Sequence, residues 1–208
     1  LITMDKKAVG RMSCNPAIGG LAKGQMVREI DVLGGIMGLA ADNTGLQFKM
    51  LNRSKGKSVW SPRAQVDKRM YEQYINDYIN EQNGITIVEG EVVRLLLKNN
   101  TVAGVALRGG EKILARTVVL TCGTFLNGLV HIGERKVRAG RMGEQGAEGI
   151  TEYLVSLGFA GGRLKTGTPP RLVAGSINWD QLDIAVGDKN PTPFSYRTTE
   201  FYPPNVPC

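Results

Sequence analysis

The segment Asn15 to Gly35, NPAIGGLAKGQMVREIDVLGG, places two adjacent glycines directly before a run whose apolar residues have helical spacing. This spacing predicts a helix from Leu21 to Leu33. A glycine-rich turn before a helix can present bare backbone N–H groups to a phosphate, and glycines also let two elements pack closely. Gly19 and Gly20 are therefore open to both interpretations.

The cysteines and the single histidine limit the chemistry. Cys14 stands just before the glycine turn, where a helix N-terminus and the nearby Lys23 can favour the thiolate, although many cysteines are buried and inert. With Cys122 and Cys208 the chain has three cysteines and no CxxC pair, so we expect no disulfide framework. A lone histidine, His131, is more typical of a structural residue than of a ligand, and we predict no metal site.

The composition is that of a globular protein. The chain has 208 residues, of which 42% are hydrophobic and 22% charged, so it can bury a sizeable core. No apolar run approaches the roughly 20 residues that a membrane-spanning helix needs. The first residues, LITMDKKAVG, lack the architecture of a signal peptide. We therefore predict a cytoplasmic protein without a membrane segment.

Positive charge is concentrated in one segment. The net charge is +7, and residues 49–69 contain seven lysines and arginines against one aspartate. A concentrated basic patch favours a polyanionic partner through counterion release. A solvated loop face is the alternative interpretation. Trp60, inside this segment, is open to two interpretations as well: a ring that stacks on a nucleic-acid base, or a local packing residue.

Periodicity and turn residues outline the remaining elements. Ser61 as a cap and Pro62 at the first helical position predict a helix that closes at Gly84. Alternating β-branched runs separated by turn signals predict a small meander of strands at about 85–116. A further helix is expected from about Glu144 to Leu157.

Two further stretches suggest where a ligand lies and where a domain begins. The run TVVLTCGTFLNG, Thr117 to Gly128, predicts a strand that ends in small residues at a cofactor, although packing alone could require the same residues.

The opening LITMD is typical of the second strand of a dinucleotide-binding βαβ unit whose first strand and glycine turn lie upstream. Prolines crowd the last forty residues, so we expect extended strands and loops there, opening a second domain. The chain is thus expected to be truncated at both ends.

Four stretches carry a resemblance to a known family: RMSCNPAIGGLAKGQMVREIDVLGG, DNTGLQFKMLN, TVVLTCGTFLNG and GGRLKTGTPPRL. Together they resemble the GidA family, also called MnmG, over essentially the whole chain. The resemblance implies an α/β fold of the FAD/NAD(P)-binding Rossmann-like, glutathione-reductase type, with inserted β-rich segments. Residues 1–168 are then expected to form a partial FAD-binding domain that includes the meander, and 169–208 the start of an inserted β-rich second domain.

The family resemblance also implies a function. It implies the FAD-binding subunit of the tRNA wobble-uridine modification complex, which adds an aminomethyl-type group to carbon 5 of uridine using methylenetetrahydrofolate, NADH and glycine or ammonium. It further implies a homodimer that joins an MnmE-type GTPase in a heterotetramer. The alternatives are an FAD- and folate-dependent tRNA uridine methyltransferase and a non-catalytic RNA-binding module.

The resemblance assigns site residues by position. Cys14 is the motif cysteine near the flavin, a candidate for thiol chemistry or for attack on the pyrimidine ring. The candidate FAD contacts are Asn15, Pro16, Ala17, Gly19, Gly20, Val92, Cys122, Gly123, Thr124 and Ala147. Val92 is expected to meet the adenosine end, and any contact of Ala147 to be made through its backbone. The candidate tRNA-phosphate contacts are Arg53, Lys55, Lys57 and Arg63. No role is assigned to Cys208.

Overall fold

The computed structural model describes residues 1–12, 14–140, 144–165, 167 and 172–208. The strands are β1 Ile2–Thr3, β2 Ala17–Gly19, β3 Gly45–Leu51, β4 Ser61–Val66, β5 Val88–Glu89, β6 Val92–Lys98, β7 Thr101–Leu107, β8 Lys112–Leu114, β9 Leu129–Ile132 and β10 Arg135–Arg138. The helices are α1 Lys23–Val32, α2 Met37–Thr44, α3 Lys68–Asn80 and α4 Ile150–Ser156. Across these described ranges no helix is long and apolar enough to cross a bilayer.

The chain forms two compact units. The meander unit comprises Leu1–Lys6 and Thr86–Gly167, and the glycine-turn unit comprises Lys7–Ile85 and Thr168–Cys208. The expected domain boundary at residue 168 falls within 168–171, outside the described residues. Residues 172–208 contain two short 3-10 turns, Ala174–Ser176 and Trp179–Gln181, and none of these described residues lies in a strand. That 169–208 opens a β-rich second domain stays a prediction.

The glycine-turn unit is built on a three-stranded antiparallel sheet in the order β2-β4-β3. Helix α1 occupies Lys23–Val32, which confirms the helix predicted at Leu21 to Leu33. Its buried positions Gly24, Val27 and Asp31 follow the spacing of one helix face. The core that joins sheet and helices consists of Ile18, Val27, Ala40, Ala41, Phe48, Ala64, Val66, Tyr71, Ile75 and Phe194.

The helix predicted to start at Ser61 is wrong at its beginning. Residues Ser61–Val66 form the central strand β4, and α3 starts only at Lys68. The true cap is Asp67, whose Oδ1 accepts hydrogen bonds from the amides of Arg69 and Met70, both at 2.9 Å. Residues upstream of Asp67 satisfy their backbone groups on β2 and β3 instead, and this pairing overrides the local Ser-Pro signal.

The last residues of the chain cover the free edge of β3. The amides of Asp188 and Val206 donate to the carbonyl oxygens of Phe48 and Leu46, both at 2.8 Å. The Gln47 side-chain amide donates to the carbonyl oxygens of Ala185 and Val206, both at 2.9 Å. An exposed strand edge is a site of unwanted pairing, so this segment protects the sheet.

The meander unit carries the antiparallel sheet β6-β7-β8, which confirms the predicted meander between 85 and 116. Strand β5 is not part of that sheet, because it pairs in parallel with β1. Strands β9 and β10 form a hairpin in which the exposed His131 pairs with Lys136. Helix α4 is shorter than the predicted 144–157, and its first turn is held by Glu152, whose carboxylate accepts from the Gly149 amide at 3.0 Å.

The strand predicted at Thr117 to Cys122 is absent from the described structure. Residues 117–122 have no strand assignment, and Val119 is 83% exposed. A strand needs a neighbour for its backbone groups, and no described backbone group hydrogen-bonds to this segment. The β-branched composition was therefore insufficient to form a strand here.

Candidate functional site

The predicted catalytic thiol lies at the surface. Cys14 is exposed three residues before β2, and Asn15 beside it is exposed too. Pro16 is half-buried, and its carbonyl oxygen accepts a hydrogen bond from the Val66 amide at 2.8 Å. Ala17 then starts β2 opposite Gln65. The preceding Ser13 lies outside the described residues. The structure thus anchors the segment behind Cys14 to the central strand and leaves Cys14 itself accessible.

The glycine turn is closely packed. Gly19 has φ of 78°, and a Cβ there would overlap the Pro62 carbonyl oxygen and lie 2.7 Å from Phe194 Cζ. Gly20 has φ of 94°, and its amide donates to the same Pro62 oxygen at 2.8 Å. Because this N–H group is already bonded, it is not available to a phosphate. Close packing therefore accounts for Gly19, whereas Gly20, with only Arg63 Cδ at 3.9 Å from an added Cβ, is favoured by its left-handed backbone.

Two aspartates that the sequence reasoning did not single out hold the loop 193–198 against α1 and α2. Asp42 accepts from the amides of Phe194 at 2.7 Å and Ser195 at 2.9 Å, and from Thr198 Oγ1 at 2.6 Å. Asp31, which is 2% exposed, accepts from Ser195 Oγ at 2.6 Å. It also accepts from the Tyr196 amide at 2.9 Å and from Arg197 Nη2 at 2.8 Å. We call this arrangement the aspartate clamp.

The two carboxyl groups of the clamp have opposite pKa shifts. Burial alone would raise the pKa of Asp31, but hydrogen bonds from Ser195, Arg197 and the Tyr196 amide outweigh it, so the pKa lies below its ordinary value of 3.8. Burial raises the pKa of Asp42, and its hydrogen bonds from Thr198 and two amides offset only part of that effect. Asp31 is thus the carboxylate whose charge the fold stabilises.

The basic segment has a defined structure in its first half. Arg53–Lys55 and Lys57–Val59 form two short 3-10 turns. Arg53 pairs with Asp188 through Nη2 and Oδ2 at 2.8 Å, and its guanidinium lies 5.6 Å from the centre of the Trp60 ring. The Trp60 indole N–H donates to the Arg53 carbonyl oxygen at 3.2 Å. Arg53 and Trp60 therefore stabilise each other, which agrees with a local packing role for Trp60.

The other candidate phosphate contacts differ in exposure. Lys55 and Lys57 are exposed, and neither side chain is bonded to another described residue. Arg63 is half-buried in β4, where Gly19 and Lys49 are its neighbours on the two adjacent strands. Two like charges opposite each other on neighbouring strands repel. The surface around Arg63 thus retains positive charge that a phosphate can neutralise.

The remaining candidate cofactor contacts lie in the meander unit. Val92 starts β6 at a β-bulge, where the pairing register with β7 shifts between Val92 and Arg94. Cys122, Gly123 and Thr124 are exposed in a turn, and nothing lies within 4 Å of a Cβ placed on Gly123. Ala147 forms a parallel bridge with Leu126. The predicted set is thus divided, with Asn15 to Gly20 in the glycine-turn unit and these five residues in the meander unit.

An ion pair that the sequence reasoning missed lies beside Val92. Arg108 donates to both carboxylate oxygens of Glu91, one of them at 2.8 Å. The hydrogen bond from Arg108 lowers the pKa of Glu91, and a further bond from the Glu148 amide acts in the same direction. Among the described residues no group of His, Cys, Asp or Glu side chains could hold a metal ion.

Comparison with known proteins identifies relatives along the whole chain. A family model described as glucose inhibited division protein A matches residues 1–208. The tRNA uridine 5-carboxymethylaminomethyl modification enzyme MnmG of Chlorobium phaeobacteroides is 51% identical over 199 residues, which are 95% of this chain and 32% of that protein. The protein of the same name from Aliarcobacter butzleri is 50% identical over 211 residues, covering 100% of this chain and 34% of its own length.

A solved structure shows the same fold. The structure of Aquifex aeolicus GidA in its form II crystal superimposes with a TM-score of 0.91 at 45% identity, covering 99% of this chain and 35% of that one. The predicted α/β, FAD/NAD(P)-binding Rossmann-like fold is thereby confirmed. The chain spans about a third of the length of the curated relatives it matches.

Replacing Gly19 by alanine tests the close-packing role of the turn. We expect Gly19→Ala to lower the free energy of unfolding by about 3 kcal/mol, because it adds a clash with Phe194 and Pro62 to the strain of a left-handed backbone. Gly34→Ala is the matched control, since Gly34 has φ of 90° and nothing within 4 Å of an added Cβ. Urea unfolding of both variants measures the difference, and equal losses would contradict the packing role.

Proposed function

Because this chain belongs to the family of glucose inhibited division protein A, we propose that the protein containing it is the FAD-binding subunit of an enzyme that modifies the wobble uridine of tRNA. One observation supports this most strongly: relatives about half identical to the whole chain are named tRNA uridine 5-carboxymethylaminomethyl modification enzymes. The described fold matches that of a GidA protein along 99% of the chain.

The proposal extends to the reaction and its partners. The enzyme adds an aminomethyl-type group to carbon 5 of the uridine, with methylenetetrahydrofolate as the one-carbon donor, NADH as reductant and glycine or ammonium as the nitrogen source. It acts in the cytoplasm as a homodimer joined to an MnmE-type GTPase in a heterotetramer. These statements rest on the family resemblance.

The residues of the meander unit fit a dinucleotide. Thr121 to Thr124 are exposed, and the space around the Gly123 Cα is open, so a flat or pyrophosphate-bearing group can lie directly against the peptide. When bound there, FAD supplies the redox chemistry. In the glycine-turn unit the candidate contacts are Asn15, Pro16, Ala17, Gly19 and Gly20, and because the Gly20 amide already donates to Pro62, Gly20 is proposed to meet the cofactor through its bare Cα.

Cys14 is proposed to activate the uridine. Its sulfur is exposed on a segment fixed to β4. Addition of the thiolate to carbon 6 forms an S–C6 bond and turns carbon 5 into an enolate-like centre that takes up the one-carbon electrophile. Loss of the carbon 5 proton to a base then expels the thiolate and restores the ring, so that Cys14 is regenerated. Glycine or ammonium replaces tetrahydrofolate on the added carbon, with loss of a proton from nitrogen to the departing folate, which gives the aminomethyl-type group.

The variant Cys14→Ser tests this role in the full-length protein. We expect modification of tRNA to fall to background, because a serine hydroxyl is a far weaker nucleophile than a thiolate, while tRNA affinity and folding stay as in the wild type. Mass spectrometry of tRNA nucleosides provides the measurement, and circular dichroism and tRNA titration provide the controls. Turnover at the wild-type rate would remove Cys14 from the mechanism.

The exposed lysines of the basic segment are proposed to contact tRNA phosphates. We expect Lys55→Ala with Lys57→Ala to weaken tRNA binding and to reduce the slope of log affinity against log salt by about one to two, since two phosphate contacts are lost. The matched control is Lys98→Ala with Lys112→Ala, which removes the same charge from exposed positions of the meander. A slope that both pairs reduce equally would contradict a specific role for this segment.

A further inference from the structure

We infer that Glu91 and Arg108 are positioning residues for the adenosine end of the cofactor: together they fix the loop that carries Ala147 against the start of β6, where Val92 lies. This inference rests on the proposed function, because Val92 and Ala147 are candidate FAD contacts. It concerns how two segments far apart in the sequence are brought together within the meander unit.

Glu91 connects three segments through one carboxylate. Its side chain is only 14% exposed and accepts from Arg108 Nη2 at 2.8 Å, from Arg108 Nε, and from the Glu148 amide at 2.8 Å. Arg108 Nη2 also donates to the Glu148 carbonyl oxygen at 2.9 Å. Both backbone groups of Glu148 are therefore bound by the ion pair, one by each partner. A charge-assisted, bidentate pair is among the stronger hydrogen-bonded arrangements in proteins.

The loop that carries Ala147 contacts β6 at the point where β6 departs from regular pairing with β7. The bulge between Val92 and Arg94 locally interrupts the ladder to β7. A Cβ placed on Gly149 would lie 3.4 Å from the Val93 Cβ, so the loop packs directly on this bulge. Bulges occur next to functional sites because they redirect the chain there. The ion pair and the bulge thus fix the same short stretch of the 147–149 loop.

The loop is fixed on its other side as well. The Asn127 amide donates to the Ala147 carbonyl oxygen at 2.8 Å, and the Ala147 amide donates to the Phe125 carbonyl oxygen at 3.3 Å. Phe125 follows directly after Cys122, Gly123 and Thr124 in the sequence. Ala147 is consequently held between residues 122–124 on one side and Val92 on the other. Among the described contacts, the only charged hydrogen bonds between its loop and the Val92 side are those of the Glu91–Arg108 pair.

These contacts give the pair a function in binding. A site binds best when its walls are fixed before the ligand arrives, because less order has to be imposed on binding. Without Glu91, the Glu148 amide loses its acceptor and Arg108 loses its counter-charge, so of the described contacts the loop keeps only the Arg108 hydrogen bond to the Glu148 carbonyl oxygen and its packing on β6. Loss of this preorganisation then weakens binding of the adenosine end of the cofactor, whereas the environment of the isoalloxazine ring is unchanged.

The test is a titration of the full-length apoprotein with FAD, followed by flavin fluorescence. We expect Glu91→Ala to raise the FAD Kd about tenfold, Arg108→Ala to raise it similarly, and Glu91→Gln to have a smaller effect because its carbonyl oxygen can still accept from Glu148. At saturating FAD the flavin absorption spectrum of each variant should match that of the wild type. The controls are Glu111→Ala and Lys98→Ala, whose exposed side chains form no hydrogen bond or ion pair with any described residue.

Each outcome has a definite meaning. An FAD Kd for Glu91→Ala equal to that of the wild type, with a lowered melting temperature, overturns the inference and leaves a purely structural ion pair. Control variants that lose as much affinity also overturn it, because the effect would then be one of surface charge. Wild-type protein that binds no FAD rejects the proposed function itself, and the inference with it.

Discussion

The glycine-turn unit depends on the aspartate clamp. Two carboxyl groups, one nearly buried and one half-buried, accept six hydrogen bonds from a loop more than 150 residues away in the sequence. Removing a carboxylate from water is unfavourable unless hydrogen bonds and an opposite charge replace the water. Asp31 obtains both from Ser195, Tyr196 and Arg197. Burial of this aspartate therefore requires the loop 193–198.

The clamp also determines the shape of the surface near Cys14. By holding the amides of residues 194–196, it places the Phe194 ring, which is 1% exposed, beneath Gly19. Phe194 lies 6.5 Å from Phe48 between ring centres and so completes the core beneath the sheet. A side chain at position 19 is therefore excluded, and the segment carrying Cys14 is held on the central strand. The position of the segment that carries Cys14 therefore depends on the distant loop 193–198 as well as on the glycine turn.

Sequence patterns correctly predicted the helices and strands whose formation depends on interactions between residues close together in the sequence. Helix α1 and the strands β6 to β8 follow the periodicity of their apolar residues, and the turns between these strands contain Asn99, Asn100, Gly109 and Gly110. The Ser61-Pro62 signal failed because sheet pairing satisfied those backbone groups, and the apolar run from Thr117 failed because no neighbouring strand is present for it among the described residues. In both segments the structure depends on whether a strand from elsewhere in the sequence is available for pairing, and local propensity does not report this.

The residues that organise the candidate contact regions of the two units could not be found by pattern alone. Neither Asp31 nor Glu91 is adjacent in sequence to its charged partner, Arg197 or Arg108, and no spacing rule connects them. One signal was available: Asp31 occupies the buried face of α1 with Gly24 and Val27, where an apolar residue is expected. A charged residue at a core position predicts a partner without identifying it. The family resemblance, in contrast, depended on long motifs and was confirmed over the whole chain.

The most direct test of the clamp is the pH dependence of unfolding in wild-type protein and in Asp31→Asn. Because the folded pKa of Asp31 lies below its ordinary value of 3.8, its charge stabilises the fold fully above that value, and this stabilisation is lost as the pH falls through the folded pKa. We predict that the variant is about 2 kcal/mol less stable near neutral pH, and that the difference shrinks in acid as the wild-type carboxylate is protonated. A difference that is absent near neutral pH, or that stays constant into acid, would contradict the central role of the clamp.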